Sequence, residues 1–249
     1  MWHEFRGETT MTWIAVLVLA LLAGTIGGIV GFGSSIMLMP ALVYTVGAKD
    51  AVPVMAIAGL MANLSRTAVW WREVDWRVVA AFSATAIPMT ALGARTLVAL
   101  DGAHIQIALG VFFLAMIPVR RWLLAAGLRI GLAGMALVGL GIGFLSGLVI
   151  SIGPINTPFF LAYGLVKGAF VSTEAMASLL MGATKTGVFR SFGALPLPTI
   201  LQGLLVGTAL MVGSWLSKRL MLKIDAVHFR LLMDAILLLA ALVLLGGAI

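Results

Sequence analysis

Apolar residues come in helix-length runs separated by short polar punctuation, with no sustained alternation of the kind a strand needs. The runs cover residues 12–30, 36–46, 51–71, 78–97, 105–119, 130–150, 158–166, 169–189, 196–216 and 229–245. A membrane-spanning helix needs about 20 such residues, and most of the runs are long enough. Two pieces, 40–46 and 158–166, each begin at a proline and follow a stretch rich in Gly and small polar residues. At about 1.5 Å per residue they reach only halfway across a bilayer. The pattern predicts an all-α polytopic membrane protein.

The pattern occurs twice. Gly24-Thr25-Ile26-Gly27-Gly28-Ile29-Val30 resembles Gly143-Phe144-Leu145-Ser146-Gly147-Leu148-Val149, 119 residues further on. Each block runs into a break and then a proline: Gly31-Phe32-Gly33-Ser34-Ser35 before Pro40, and Ser151-Ile152-Gly153 before Pro158. Ser65-Arg66-Thr67-Ala68-Val69 matches Thr184-Lys185-Thr186-Gly187-Val188, again at a spacing of 119. The expected organisation is a first half over residues 1–119, a basic cytoplasmic linker over 120–129 and a second half over 130–249.

Charge fixes the expected orientation. If each long run and its short partner form a hairpin, ten basic residues collect on one face (Arg72, Arg77, Arg120, Arg121, Arg129, Lys167, Lys218, Arg219, Lys223, Arg230) and four on the other (Arg6, Lys49, Arg95, Arg190). If each pair is one broken span, the same residues divide seven to seven. The positive-inside rule favours the hairpin. Both termini then lie outside the cytoplasm, and each half of about five segments crosses an odd number of times, so the second half is inverted. Inverted repeats with discontinuous helices meeting near the midplane are a recurring transporter plan.

Composition agrees. Of 249 residues, 62% are hydrophobic and 10% charged, with a mean hydropathy of +1.15. Soluble domains carry about 25% charged residues. The net charge of +7 comes from residues between the apolar runs, which makes it a topology signal rather than a nucleic-acid surface. With no cysteine in the chain, disulfides, thiolate metal sites and Cys nucleophiles are excluded. The segment before the first run mixes Glu4 and Glu8 with Arg6, which suits a secretory signal poorly.

The two breaks are the candidate site. Irregular backbone is tolerated at membrane depth only where protein buries it or it lines a wet cavity. Thr157 reads as an N-cap with Pro158 in the first helical position, and Ser34 or Ser35 as the cap of the first short helix. A helix N-terminus offers free N–H groups and partial positive charge, which suits an anion. Gly33 and Gly153 would admit close approach, while Ser34, Ser35, Asn156 and Thr157 supply neutral hydrogen bonds. Tight helix packing by small residues is the competing account.

Arg66 and Lys185 are the sharper signal. A cation mid-membrane costs about 2.5–3.5 kcal/mol on insertion scales. Each could snorkel to the interface, marked near Arg66 by Trp70 and Trp71. Yet both hold the same repeat position with hydroxyls on either side, and Asn63 and Ser178 lie on the same helices. These groups are expected to line an anion path. Glu174 follows Ser172 and reads as a first-turn residue, and Asp234 has Arg230 one turn away; either could carry a proton. His3, His104 and His228 show no metal-ligand spacing, no phosphate-binding loop occurs, and no nucleophile–base set is recognisable. No enzyme, cofactor or metal site is expected.

The Gly-rich loop followed by proline, given twice (Gly31-Phe32-Gly33-Ser34-Ser35 to Pro40, and Gly153-Pro154-Ile155-Asn156-Thr157-Pro158), resembles the sulfite exporter TauE/SafE family of membrane permeases. The family usually shows a richer Gly-Gly run in these loops. The resemblance implies transport of sulfite, sulfonates or sulfoacetate-like anions across a bacterial inner membrane. The resulting expectation is a secondary exporter of small sulfur oxyanions. Its expected partners are the anionic substrate and the lipid bilayer, with no nucleic acid; self-association as a homo-oligomer is left open. A proton- or sodium-coupled importer of anions or carboxylates, and a non-transporting membrane subunit, stand as alternatives.

Overall fold

The computed structural model describes residues 4–30, 33–99, 129–148, 153–193 and 195–220, with short pieces between 107 and 127 and at 238 and 242. The described residues are helical almost throughout, and no strand occurs among them. The main helices are α1 (Glu4–Val30), α2 (Ser34–Val46), α3 (Ala48–Val69), α4 (Trp76–Val98), α5 (Leu132–Leu148), α6 (Gly153–Tyr163), α7 (Lys167–Ser191) and α8 (Leu197–Leu220), with a 3₁₀ turn at Trp71–Glu73 between α3 and α4. The run expected at 229–245, with Asp234, His228 and Arg230, lies outside the described residues, as do His3 and His104.

Among the described residues, four stretches are long and apolar enough to cross a bilayer: Thr10–Gly28, Ala48–Val69, Trp76–Val98 and Leu197–Ser217. The shorter apolar helices Ser34–Val46 and Leu132–Leu148 accompany them. Leu22, Leu64, Leu137, Leu201, Val212 and Trp215 stand exposed. So wide an apolar exterior suits hydrocarbon, not water.

Local chemistry sets the helix ends. Asp75 caps α4, its Oδ1 accepting from the N–H groups of Arg77 at 3.0 Å and Val78 at 3.2 Å. Gly47 separates α2 from α3 with φ of 81°, a left-handed value that a side chain disfavours. Pro40 and Pro158 sit inside α2 and α6 rather than opening them. The short helices therefore start earlier than their prolines predict, at Ser34 and Gly153. Several helix hydroxyls bond back to their own turn, as Thr157, Thr184 and Thr208 do to the carbonyls four residues before them.

α3 and α7 form the centre. Residues 51–58 of α3 are all buried, as are residues 170–175 of α7. α3 packs on α7 and α8, α4 on α7 and α5, and α1 on α8. α2 rests on α1 and α3, and α6 on α5 and α7. Exchanging α1–α4 with α5–α8 in order maps α3–α7 onto itself and each of the other pairings onto another of them.

The closest approaches follow the same exchange. A Cβ on Gly24 would lie 2.8 Å from Leu210 Cα, and one on Gly143 would lie 2.6 Å from Ala86 Cα. Four residues on, Gly28 meets Ser214 Cα at 2.9 Å and Gly147 meets Gly93 Cα at 2.6 Å. Helix crossings this close leave no space for a side chain. Gly143→Val is expected to destabilise the α4–α5 crossing by about 1–3 kcal/mol, the usual cost of overpacking. Thermal unfolding of the purified protein in detergent checks this; an unchanged midpoint would contradict the close approach.

Candidate functional site

Both short helices begin against one polar cavity. Its volume is about 80 Å³, against the roughly 10–15 Å³ that one water needs. The walls come from five helices and Gly33: Ser34 and Ser35 of α2; Gly59, Asn63 and Arg66 of α3; Ser146 of α5; Gly153 of α6; Glu174, Ser178, Gly182 and Lys185 of α7. Seven of the nine expected site residues thus share one space: Gly33, Ser34, Ser35, Asn63, Arg66, Gly153 and Lys185. Asn156 stands behind them and reaches the cavity through Glu174. Thr157 does not reach it; its hydroxyl donates to the Gly153 carbonyl at 2.7 Å.

The capping expectations need correction. α2 starts at Ser34 with Gly33 as its N-cap, at φ of 106°, and no side chain caps it. Neither Ser34 nor Ser35 is the cap, because Gly33 takes the left-handed turn. Thr157 lies inside α6, four residues past its start. What survives at each break is a helix beginning beside the cavity, with its first turn of N–H groups unclaimed by the helix itself.

Arg66 is buried at 8% exposure and Lys185 at 4%. Both side chains are buried inside the protein rather than extended along its surface, which suits snorkelling poorly. Arg66 Nη2 donates to Asn63 Oδ1, one turn earlier on α3, and its Nη1 donates to the Gly27 carbonyl of α1 at 3.5 Å. Nη2 also faces Glu174 Oε2 of α7 at 4.0 Å. The guanidinium is thus held from three helices while its Nε makes no hydrogen bond.

Glu174 was the residue the sequence misplaced. α7 begins at Lys167, not near Ser172, so Glu174 stands two turns inside the helix and is 2% exposed. Its Oε1 accepts from Asn156 Nδ2 at 3.2 Å and from Ser178 Oγ at 2.7 Å. The usable signal was an acid well inside an apolar run, which in a membrane marks a functional group by default. Among the described residues, no three His, Cys, Asp or Glu side chains gather as a metal site would require.

A smaller pocket of about 10 Å³ lies on the other side of Arg66, between Gly28, Val69, Trp70, Val171, Ser214 and Ser217. Arg66 lines both spaces.

Long apolar helices, an apolar exterior and a charged cavity in the interior define a multi-pass helical membrane protein. The chain matches the sulfite exporter TauE/SafE family over residues 16–244 and belongs to it. That family is one of sulfite exporters. No curated protein and no solved structure matches the sequence significantly.

Removing the donor behind Glu174 tests how the site is built. Asn156→Leu leaves Oε1 with Ser178 alone and is expected to cost about 1–3 kcal/mol, as for a buried acceptor that loses a partner. Thermal unfolding in detergent reads this, and a neutral result would show that Asn156 does not support the carboxylate.

Proposed function

We propose that the chain is a secondary transporter that exports small sulfur oxyanions, sulfite or organosulfonates, by alternating access through the central cavity. One observation carries the reading: Arg66 and Lys185, 119 residues apart in matched sequence blocks, line a single buried polar space with the starts of both short helices. Positive charge, helix N-termini and neutral donors such as Ser34, Ser35 and Asn63 are what an oxyanion stripped of water requires. The volume suits a small ion with few waters and excludes a large solute.

The two halves act as inverted repeats. The exchange symmetry of the helix pairings and the matched glycine crossings support this, and the charge distribution favours opposite orientations. In this reading Arg72 and Arg77 face the cytoplasm, both termini face the periplasm, and the protein sits in the bacterial inner membrane. Rocking of one half against the other opens the cavity first to one side and then to the other. The small pocket past Arg66, with its Ser214 and Ser217 hydroxyls, continues the path. Expelling an anion from a negative-inside cell is favoured by about 2.3 kcal/mol per charge per 100 mV, so the membrane potential suffices as a driving force.

Arg66→Gln and Lys185→Gln, each reconstituted in liposomes, are expected to lose sulfite flux while eluting as folded protein. Radiolabelled sulfite counterflow measures it. Wild-type flux in both variants would remove the cavity from the transport path.

A further inference from the structure

Glu174 is a buried titratable group that the transport reading leaves without a task. It lines the cavity together with Arg66 and Lys185. One oxygen is anchored by Asn156 and Ser178, while Oε2 makes no hydrogen bond and faces the Arg66 guanidinium. A carboxylate so placed competes for the cation that an oxyanion substrate would use.

The charged groups facing it can be named helix by helix. α3 brings Arg66, and α7 itself brings Lys185. The 3₁₀ turn places the Glu73 carboxylate against Gly168, near the start of α7. α4 brings Asp75, whose backbone N–H donates to Thr173 Oγ1 at 2.9 Å. α6 ends in Tyr163, and α5 has no ionisable side chain.

With Arg66 and Lys185 both protonated and Glu174 ionised, the cavity carries one positive charge. A bound monoanion brings it to neutrality. A dianion overshoots, and unbalanced charge in a low-dielectric interior is costly. A proton on Glu174 restores neutrality and frees Arg66 at the same time. Building on the proposed anion site, we infer that Glu174 takes one proton from cavity water when a dianion binds and returns it on release. The proton adds to a carboxylate oxygen as an O–H bond of water breaks, and the hydroxide left behind passes to the bulk solution, which turns more alkaline by one equivalent. The carrier then moves one net negative charge per cycle, whether the cargo is a sulfonate or sulfite.

The test uses the full chain in detergent, in weakly buffered alkaline solution where dissolved sulfite is the dianion. A pH dye reports proton uptake, and calorimetry reports binding of sulfite or of methanesulfonate, a permanent monoanion. Wild type should take up about one proton per bound sulfite and none with methanesulfonate, and its sulfite affinity should fall about tenfold per pH unit. Glu174→Gln, whose amide oxygen still accepts from Asn156 or Ser178, should bind sulfite without proton uptake and with a flat pH profile. Glu174→Asp should restore the uptake. Sulfite binding to wild type without a proton overturns the inference. So does a Glu174→Gln protein that takes up the same proton, which would assign it to Lys185 or to sulfite itself; uptake by Lys185 would also register with methanesulfonate. If Glu174→Gln does not fold, wild type and Glu174→Asp decide the matter. Failure of wild type to bind either anion would bring down the anion site and the inference with it. Binding of both anions, lost in Arg66→Gln but never accompanied by a proton, would bring down the role of Glu174 alone.

Discussion

A guanidinium buried between membrane helices must be surrounded by protein groups that replace water. That requirement governs the centre of this molecule. Arg66 is met by Asn63 from its own helix, the Gly27 carbonyl from α1 and Glu174 from α7. Each partner comes from a different direction, so α1, α3 and α7 cannot slide without stranding a charge. Removing one member of a buried ion pair costs about 3–5 kcal/mol. Sliding of these helices would leave a buried charge uncompensated, which opposes it.

Close approach is the second constraint, and it serves the first. Lipid is as apolar as leucine, so helices in a bilayer gain little from hiding hydrophobic side chains from one another. They adhere through tight contact. Gly24, Gly28, Gly143 and Gly147 bring α1 onto α8 and α5 onto α4 with backbone against backbone. Those outer clamps leave α3 and α7 facing each other across the cavity. α7, with Lys167, Glu174, Lys185 and Arg190, is not among the stretches apolar enough to be recognised as spans. It can hold that polarity because it packs against α3 and α4, with the Glu174 and Lys185 side chains buried inside the protein.

The helices and most of the cavity were legible in the sequence because both follow from gross pattern. Apolar run length marks a span, and a cation in matched positions of two halves marks a shared space. One short helix was misjudged at its start. The Ser34 or Ser35 cap placed the start of α2 within about two residues of Ser34, where the left-handed Gly33 begins it, whereas Pro158 misplaced α6, which begins at Gly153. Thr157 looked like a cap for the same reason and instead bonds back along α6. Glu174 was misread because Ser172 resembles a helix cap, whereas its hydroxyl donates to the Gly168 carbonyl within α7. A single sequence records that an acid is present. It does not record that the acid meets Arg66 from a helix more than 100 residues away along the chain.

The charge count in the cavity also bears on energetics. A dianion leaving alone would draw on the membrane potential twice, at about 2.3 kcal/mol per charge per 100 mV. On the proposed reading, a dianion leaving with a proton on Glu174 draws on it once. It also carries that proton outward, against an alkaline interior, at about 1.4 kcal/mol per pH unit. Efflux remains favoured whenever the potential in units of 100 mV exceeds about 0.6 of the pH difference, the ratio of those two terms. The gain in driving force from a second charge is thus given up. In exchange, on the proposed reading, the same two cations and one carboxylate match a monoanion directly and a dianion with a proton on Glu174, so the loaded cavity carries no net charge.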